Sequence, residues 1–208
     1  MGVARAERDE LCDLFEKVGP DAPTLCDGWL TKDLAVHLVT RDRRPDAAAG
    51  MIAKPLAAHS KRVQDGYAAK SWSELVKLVR TGPPRWSPLG VGRLDEMVNS
   101  AEFFVHHEDV RRAVPGWQPR PPEPVRDAAL WRALRFVVRI TYRRSPLGVL
   151  LRRPDGEVLL AKRGPNTVTI AGQPGELLLY AFGRDPVQVE FEGEASSVDA
   201  VQKLSRGV

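Results

Sequence analysis

Cysteine is scarce in this chain of 208 residues: Cys12 and Cys26 are its only two. Two thiols do not make a disulfide framework, and the usage fits a reduced compartment. Long apolar runs are missing, since none approaches the roughly 20 residues that span a bilayer. Neither sign of charge dominates. The 31 basic and 27 acidic residues give a formal net charge of +4, and the two signs are interleaved. Arg41, Arg43 and Arg44 form a short basic cluster, but Asp42 and Asp46 lie among them. That pattern reads as a solvated helix end rather than a nucleic-acid arm. Glycine-rich phosphate loops, Walker patterns and Ser-His-Asp arrangements are absent. The first ten residues are polar and charged, unlike a secretory signal. These absences predict a soluble cytoplasmic protein that partners neither nucleic acid nor membrane. They give no oligomeric state.

The residues that are present divide the chain in two. Hydrophobic residues make up 43% of it, enough for a substantial core. Leu11, Leu14, Phe15 and Val18 recur at helical spacing and predict a helix over 3–18, stopped by Gly19-Pro20. Thr31 is placed to cap a helix carrying Leu34, Ala35, His37, Leu38 and Val39. A helical stretch over about 46–70 meets a break near Pro55. Ser71 and Glu74 form a capping box for the next helix, which Gly82-Pro83-Pro84 stops. Arg85 to Gly92 reads as a Pro/Gly loop, and a long helix follows over 93–113.

Five prolines between residues 115 and 124 mark a linker. Beyond it the pattern becomes helix (125–142), three short strands (148–152, 157–163, 167–171), helix (175–183), strand (187–193) and helix (197–204). That order predicts a small α+β domain. The expected domains are therefore 1–114 and 125–208, joined by residues 115–124.

Glu102 and His106 stand out within the long helix. Four residues advance a helix by about 400°, so the two side chains share a face with an offset of about 40°. His107 is offset by about 140° from Glu102, which makes it the poorer partner. A carboxylate and an imidazole on one face can reach one divalent ion, and His37 on another helix can supply a third ligand. Three protein ligands leave a tetrahedral ion one open position, the arrangement of catalytic metal sites. Asp33, one turn before His37, could orient its ring, or could simply favour the helix N-terminus. Asp109 could contact His106 or lie at the surface. Cys26 reads as a small packing residue beside Trp29, with a fourth ligand as the alternative. His59 reads as surface.

The run Leu25-Cys26-Asp27-Gly28-Trp29-Leu30-Thr31-Lys32-Asp33-Leu34-Ala35-Val36-His37-Leu38 resembles a signature of the mycothiol-dependent maleylpyruvate isomerase-like family. Glu102-Phe103-Phe104-Val105-His106-His107-Glu108-Asp109 resembles that family's second signature. Thr167 to Gly172 and Gly175 to Arg184 are similar to its C-terminal domain. The resemblance implies an all-α four-helix bundle (DinB/YfiT-like) followed by a small α+β domain of sterol-carrier-like type. It places the family's metal ligands on His37, Glu102 and His106, with zinc the usual metal. It implies mycothiol as thiol cosubstrate and a small electrophile as substrate. The expected activity is S-transfer or isomerisation by a metal-activated thiol. It also offers Arg184 as the arginine that holds a substrate carboxylate. A non-catalytic metal- or small-ligand-binding module or sensor is the alternative in a different class.

Overall fold

Apolar residues at intervals of three and four give the first half of the chain its helices. The computed structural model describes residues 2–52, 54–84 and 93–207; the expected Pro/Gly loop at 85–92 lies outside them. The chain divides into two compact units, with the boundary between Trp117 and Gln118.

In the first unit the described helices are α1 (Val3–Val18), α2 (Thr31–Arg43), α3 (Pro45–Ile52), α4 (Ala57–Ala68), α5 (Trp72–Thr81) and α6 (Arg93–Arg111). Pro55 falls in a 3-10 turn, Lys54–Leu56. Its ring forbids the helical hydrogen bond there and separates α3 from α4. Leu11, Cys12 and Phe15 from α1 meet Leu34, Ala35 and Leu38 from α2 in one core. Leu75 and Val79 from α5 and Phe103 from α6 complete it. Ser71 closes α5 reciprocally: its hydroxyl accepts from Glu74 N–H, and the Glu74 carboxylate accepts from Ser71 N–H at 3.1 Å.

The start of α2 differs from the expected cap. Thr31 is the first helical residue, and its hydroxyl donates to the Gly19 carbonyl at 2.6 Å. Asp33 does the capping, accepting from Leu30 N–H at 3.0 Å. Thr31 is thereby committed to holding α1 and α2 together.

The second unit contains α7 (Pro124–Thr141), β1 (Val149–Arg152), β2 (Val158–Lys162), β3 (Val168–Ala171), α8 (Pro174–Ala181), β4 (Glu190–Glu192) and α9 (Ala195–Gln202). The strand order is β2-β1-β3-β4. The hairpin β1-β2 is antiparallel, β1-β3 parallel, and β3-β4 antiparallel. Val149 and Leu151 alternate with half-buried neighbours and face the interior, as do Val168 and Ile170. Leu130, Leu134 and Val138 of α7 and Leu177 and Leu178 of α8 are also buried. The last strand is shorter than the alternation predicts. Gln188 N–H donates to the Glu176 carboxylate at 2.7 Å instead of to a neighbouring strand, so the ladder begins only at Glu190. No helix among the described residues is long and apolar enough to cross a membrane.

Leu34 is fully buried where α2 joins the common core. Leu34→Ala removes that contact and leaves a cavity, and the expected loss is about 2–5 kcal/mol. Urea unfolding should show a lower midpoint with an unchanged slope.

Candidate metal centre

His37 comes from the middle of α2, and Glu102 and His106 from successive turns of α6. Their side chains converge. Glu102 Oε1 lies 3.3 Å from His37 Nε2 and 3.4 Å from His106 Nε2. The donor atoms of all three lie within 4.8 Å of one another. The imidazole rings meet edge to face, with centroids 5.2 Å apart. Arg41 Nε approaches the same carboxylate oxygen at 3.3 Å.

A half-buried carboxylate needs compensation. Burial pushes the Glu102 carboxyl up, but the hydrogen bonds of His106 and His37 and the charge of Arg41 outweigh it. The group is held well below the usual carboxylate range. At His106, burial pushes the imidazole down, and bonds to Asp109, Cys26 and Glu102 reverse the direction. The imidazole is held well above the usual histidine range. A cation binding at Nε2 displaces that proton.

Each polar partner is itself held. His106 Nδ1 lies 2.9 Å from Asp109 Oδ2, and Asp109 is fully buried. This contact fixes the ring orientation and turns Nε2 toward Glu102. Cys26 Sγ donates to the same Asp109 oxygen at 3.2 Å. Arg41 Nη1 donates to Asn99 Oδ1 at 2.7 Å and to Asp42 Oδ1 at 3.1 Å. Arg8 reaches Asp42 Oδ2 at 3.1 Å from α1 and lies over the Phe103 ring at 4.4 Å.

The loop before α2 sets the near wall. Leu25 N–H donates to the Asp109 carbonyl at 3.0 Å, which anchors the loop on α6. Trp29 N–H donates to the Cys26 carbonyl at 2.9 Å, closing a tight turn. Gly28 sits in that turn at φ +72°, where a β-carbon is disfavoured. The turn delivers the Trp29 ring to within 5.3 Å of the His37 ring.

Several expectations need correction or completion. Asp33 does not contact His37, because its carboxylate caps α2. His107, the poorer partner of Glu102, is buried, and its Nδ1 lies 3.1 Å from Glu7 Oε2 on α1. Cys26 is half-buried and bonded to Asp109 rather than packed in the core. Trp29 is 36% exposed and stands over the site instead of anchoring the interior. His59 is at the surface, paired with Asp46 at 2.7 Å. Arg184 lies in the second unit just past α8, where its Nη1 donates to the Phe182 carbonyl at 2.8 Å. Arg41 was not singled out by sequence as part of the site, although it follows His37 by four residues. The spacing rule that pairs Glu102 with His106 applies to it equally.

The donor set suits a divalent ion: two imidazole nitrogens and one carboxylate oxygen, a combination found for zinc, iron, nickel and manganese. The contacts to Glu102 Oε1 are all at the long end of the hydrogen-bond range, so no single partner saturates that oxygen.

The fold has solved counterparts. The chain superposes on the crystal structure of the mycothiol-dependent maleylpyruvate isomerase with a TM-score of 0.63. The match covers 93% of this chain and 92% of that one, at 16% sequence identity. A histidine-to-alanine mutant of that isomerase matches with the same values. This chain has that isomerase's fold. No family model and no curated protein sequence matches it. The resemblance read in the sequence and the fold therefore agree, across a chain that retains little identity.

The two thiols have opposite surroundings. Cys12 is fully buried, and burial pushes its thiol up to about 12. Iodoacetamide at pH 8 should modify Cys26 alone in the native protein and both cysteines in urea, as read by intact mass. Labelling of Cys12 in the native state would contradict the packing of α1.

Proposed function

We propose that this chain is a metal-dependent enzyme that uses mycothiol as thiol cosubstrate and acts on a small electrophile. The observation that carries the reading is the convergence of His37, Glu102 and His106 in a fold shared with a mycothiol-dependent isomerase. His37 Nε2, His106 Nε2 and a Glu102 oxygen would hold the ion, with zinc the metal best suited to such a set. When bound, a divalent ion supplies Lewis acidity that lowers the pKa of a thiol.

The chain's own residues prepare the site. Asp109 fixes the His106 ring and accepts its Nδ1 proton. Arg41 and Asn99 restrain the carboxylate end of the site from α2 and α6. The Trp29 ring covers one side of His37, with the ring centroids 5.3 Å apart. The thiolate sulfur would then add to an electrophilic carbon. In S-transfer the adduct is the product. In isomerisation the addition converts a double bond to a single bond, rotation follows, and elimination returns the thiol. In this reading residues 1–114 form the DinB-like metal-binding bundle and 125–208 the sterol-carrier-like domain, with 115–124 between them. Arg184 is the proposed holder of a substrate carboxylate.

The test is metal content by mass spectrometry of the untagged protein beside His37→Ala and His106→Ala. Near-stoichiometric metal in the wild type and its loss in both variants are expected. Full occupancy in the variants would overturn the ligand assignment. Asp109→Asn should retain the ligands but weaken metal binding by about 10–100-fold. Mycothiol-dependent consumption of an electrophile, absent in His106→Ala, separates an enzyme from a binding module.

A further inference from the structure

Helix α4 presents two faces. Lys61, Gln64, Asp65 and Ala68 recur at three- and four-residue intervals and line a cleft beside His37. His59, Arg62, Val63, Gly66 and Tyr67 fall on the opposite side of the helix. With Arg44 and Lys70 they line a second cleft of about 370 Å³, which shares no residue with the first. Its volume is that of a small-ligand site, and it lies wholly within the first unit.

Cations dominate this second cleft. Arg44, Arg62 and Lys70 line it, and no carboxylate does among the described residues. Arg44 follows α2, and its Nε and Nη2 both donate to Asp46, at 2.9 and 2.6 Å. Asp46 Oδ2 also lies 2.7 Å from His59 Nε2. One carboxylate thus fixes both the guanidinium and the imidazole. Arg62 Nε donates to the Ala58 carbonyl at 3.4 Å. Neither Arg62 nor Lys70 forms an ion pair among the described residues. The Lys70 charge reaches Glu74, whose carboxylate is already held by Ser71. Two positive charges therefore share a concave surface without a counter-charge at contact distance, and an entering anion relieves their repulsion. Val63 adds apolar surface, and Tyr67 packs on the core while its hydroxyl offers a further donor. Asp46 and Glu74 stand exposed beside the cleft. An extended polyanion would meet their repulsion, whereas a compact one avoids it.

We infer that this second cleft binds the phosphate group of a small, soluble phosphate monoester, with Arg62 and Lys70 taking the dianion and Arg44 as the fixed third cation. A monocarboxylate brings one charge and two oxygens; a phosphate brings two charges and three oxygens to three cationic groups. The basic run near the end of α2 separates on folding. Arg41 serves Glu102, Arg43 donates to Thr81 Oγ1 at 2.6 Å, and Arg44 lines the cleft. The site is independent of the metal chemistry proposed above.

The experiment is calorimetric titration of the full-length protein with phenyl phosphate, beside phenol as the uncharged control. Phenyl phosphate should bind once per chain, and phenol at least about tenfold more weakly, since it leaves the charge-assisted contacts unmade. Arg62→Gln and Lys70→Gln should each weaken phenyl phosphate by about tenfold. Lys61→Gln removes the same charge from the opposite face of α4, and at about 0.15 M salt it should leave the affinity within about twofold. Circular dichroism checks that the variants fold. Binding that does not saturate, equal binding of phenol, or a loss with Lys61→Gln as large as with Arg62→Gln would overturn the assignment. So would binding that is abolished by His106→Ala and untouched by Arg62→Gln, because it would put the phosphate at the metal centre. Sedimentation with phosphatidic acid vesicles reads the other source of a phosphate monoester. No co-sedimentation is expected; co-sedimentation that Arg62→Gln abolishes would replace the soluble ligand with a lipid headgroup and overturn the assignment.

Discussion

The Glu102 carboxylate is the constraint around which the first unit is arranged. A charge withdrawn from water is tolerated only where other groups replace its solvation. Here two imidazoles and a guanidinium converge on one oxygen. The requirement propagates outward. Arg41 can serve Glu102 only because Asp42 and Asn99 hold its other nitrogen. Asp42 is in turn met by Arg8 from α1. His106 can present Nε2 only because Asp109 takes Nδ1. One carboxylate thus ties α1, α2 and α6 together through polar contacts, beside the apolar core that those helices share. Such a network is costly to form and far more costly to leave half-formed. It favours one arrangement of the helices over others that would bury similar apolar area.

The sequence showed most of the secondary structure because helical periodicity and stop signals are local. The range 3–18 for α1 follows from Leu11, Leu14, Phe15 and Val18 and the Gly19-Pro20 stop. The break at Pro55 follows from the ring. The convergence of Glu102 with His106 was legible for the same reason: the two are related by one turn of one helix. Readings that depended on a partner from elsewhere in the chain were less secure. The fate of Asp33 turned on whether the Leu30 N–H needed an acceptor, and that of Cys26 on where Asp109 lay. The short β4 reflects a side chain fourteen residues away from the strand's start, Glu176, taking a backbone donor that alternation assigns to the sheet. The cleft residues Lys61, Gln64 and Asp65 carry no sequence signal, since nothing local says that α4 faces α2.

His106 and His107 show how one residue of rotation separates two roles. They are adjacent and both buried. His106 points toward Glu102 and His37, whereas His107 turns about 100° further around α6 and meets Glu7 on α1. The second pair packs α6 against α1 and gives the site a fixed back wall. A helix that binds a functional ion on one side gains from polar fixation on the other, because rotation of α6 about its axis would move both Glu102 and His106 off His37. The pattern Glu-x-x-x-His-His is therefore better understood as a converging pair plus a brace than as three side chains of one cluster.

Sharing a fold at 16% identity leaves function to the groups placed on it. In this chain those groups form a graded site. The innermost layer is the two histidines and the carboxylate. Around it stand Asp109, Arg41 and Trp29, each fixed by a bond to a different element. Beyond His37 lies a cleft lined by Trp29, Val36 and Ala68 together with Asp33, Lys61, Gln64 and Asp65. Each layer is set by a different element: α2 and α6 supply the inner groups, the loop before α2 supplies Trp29, and α4 supplies the far wall of the cleft.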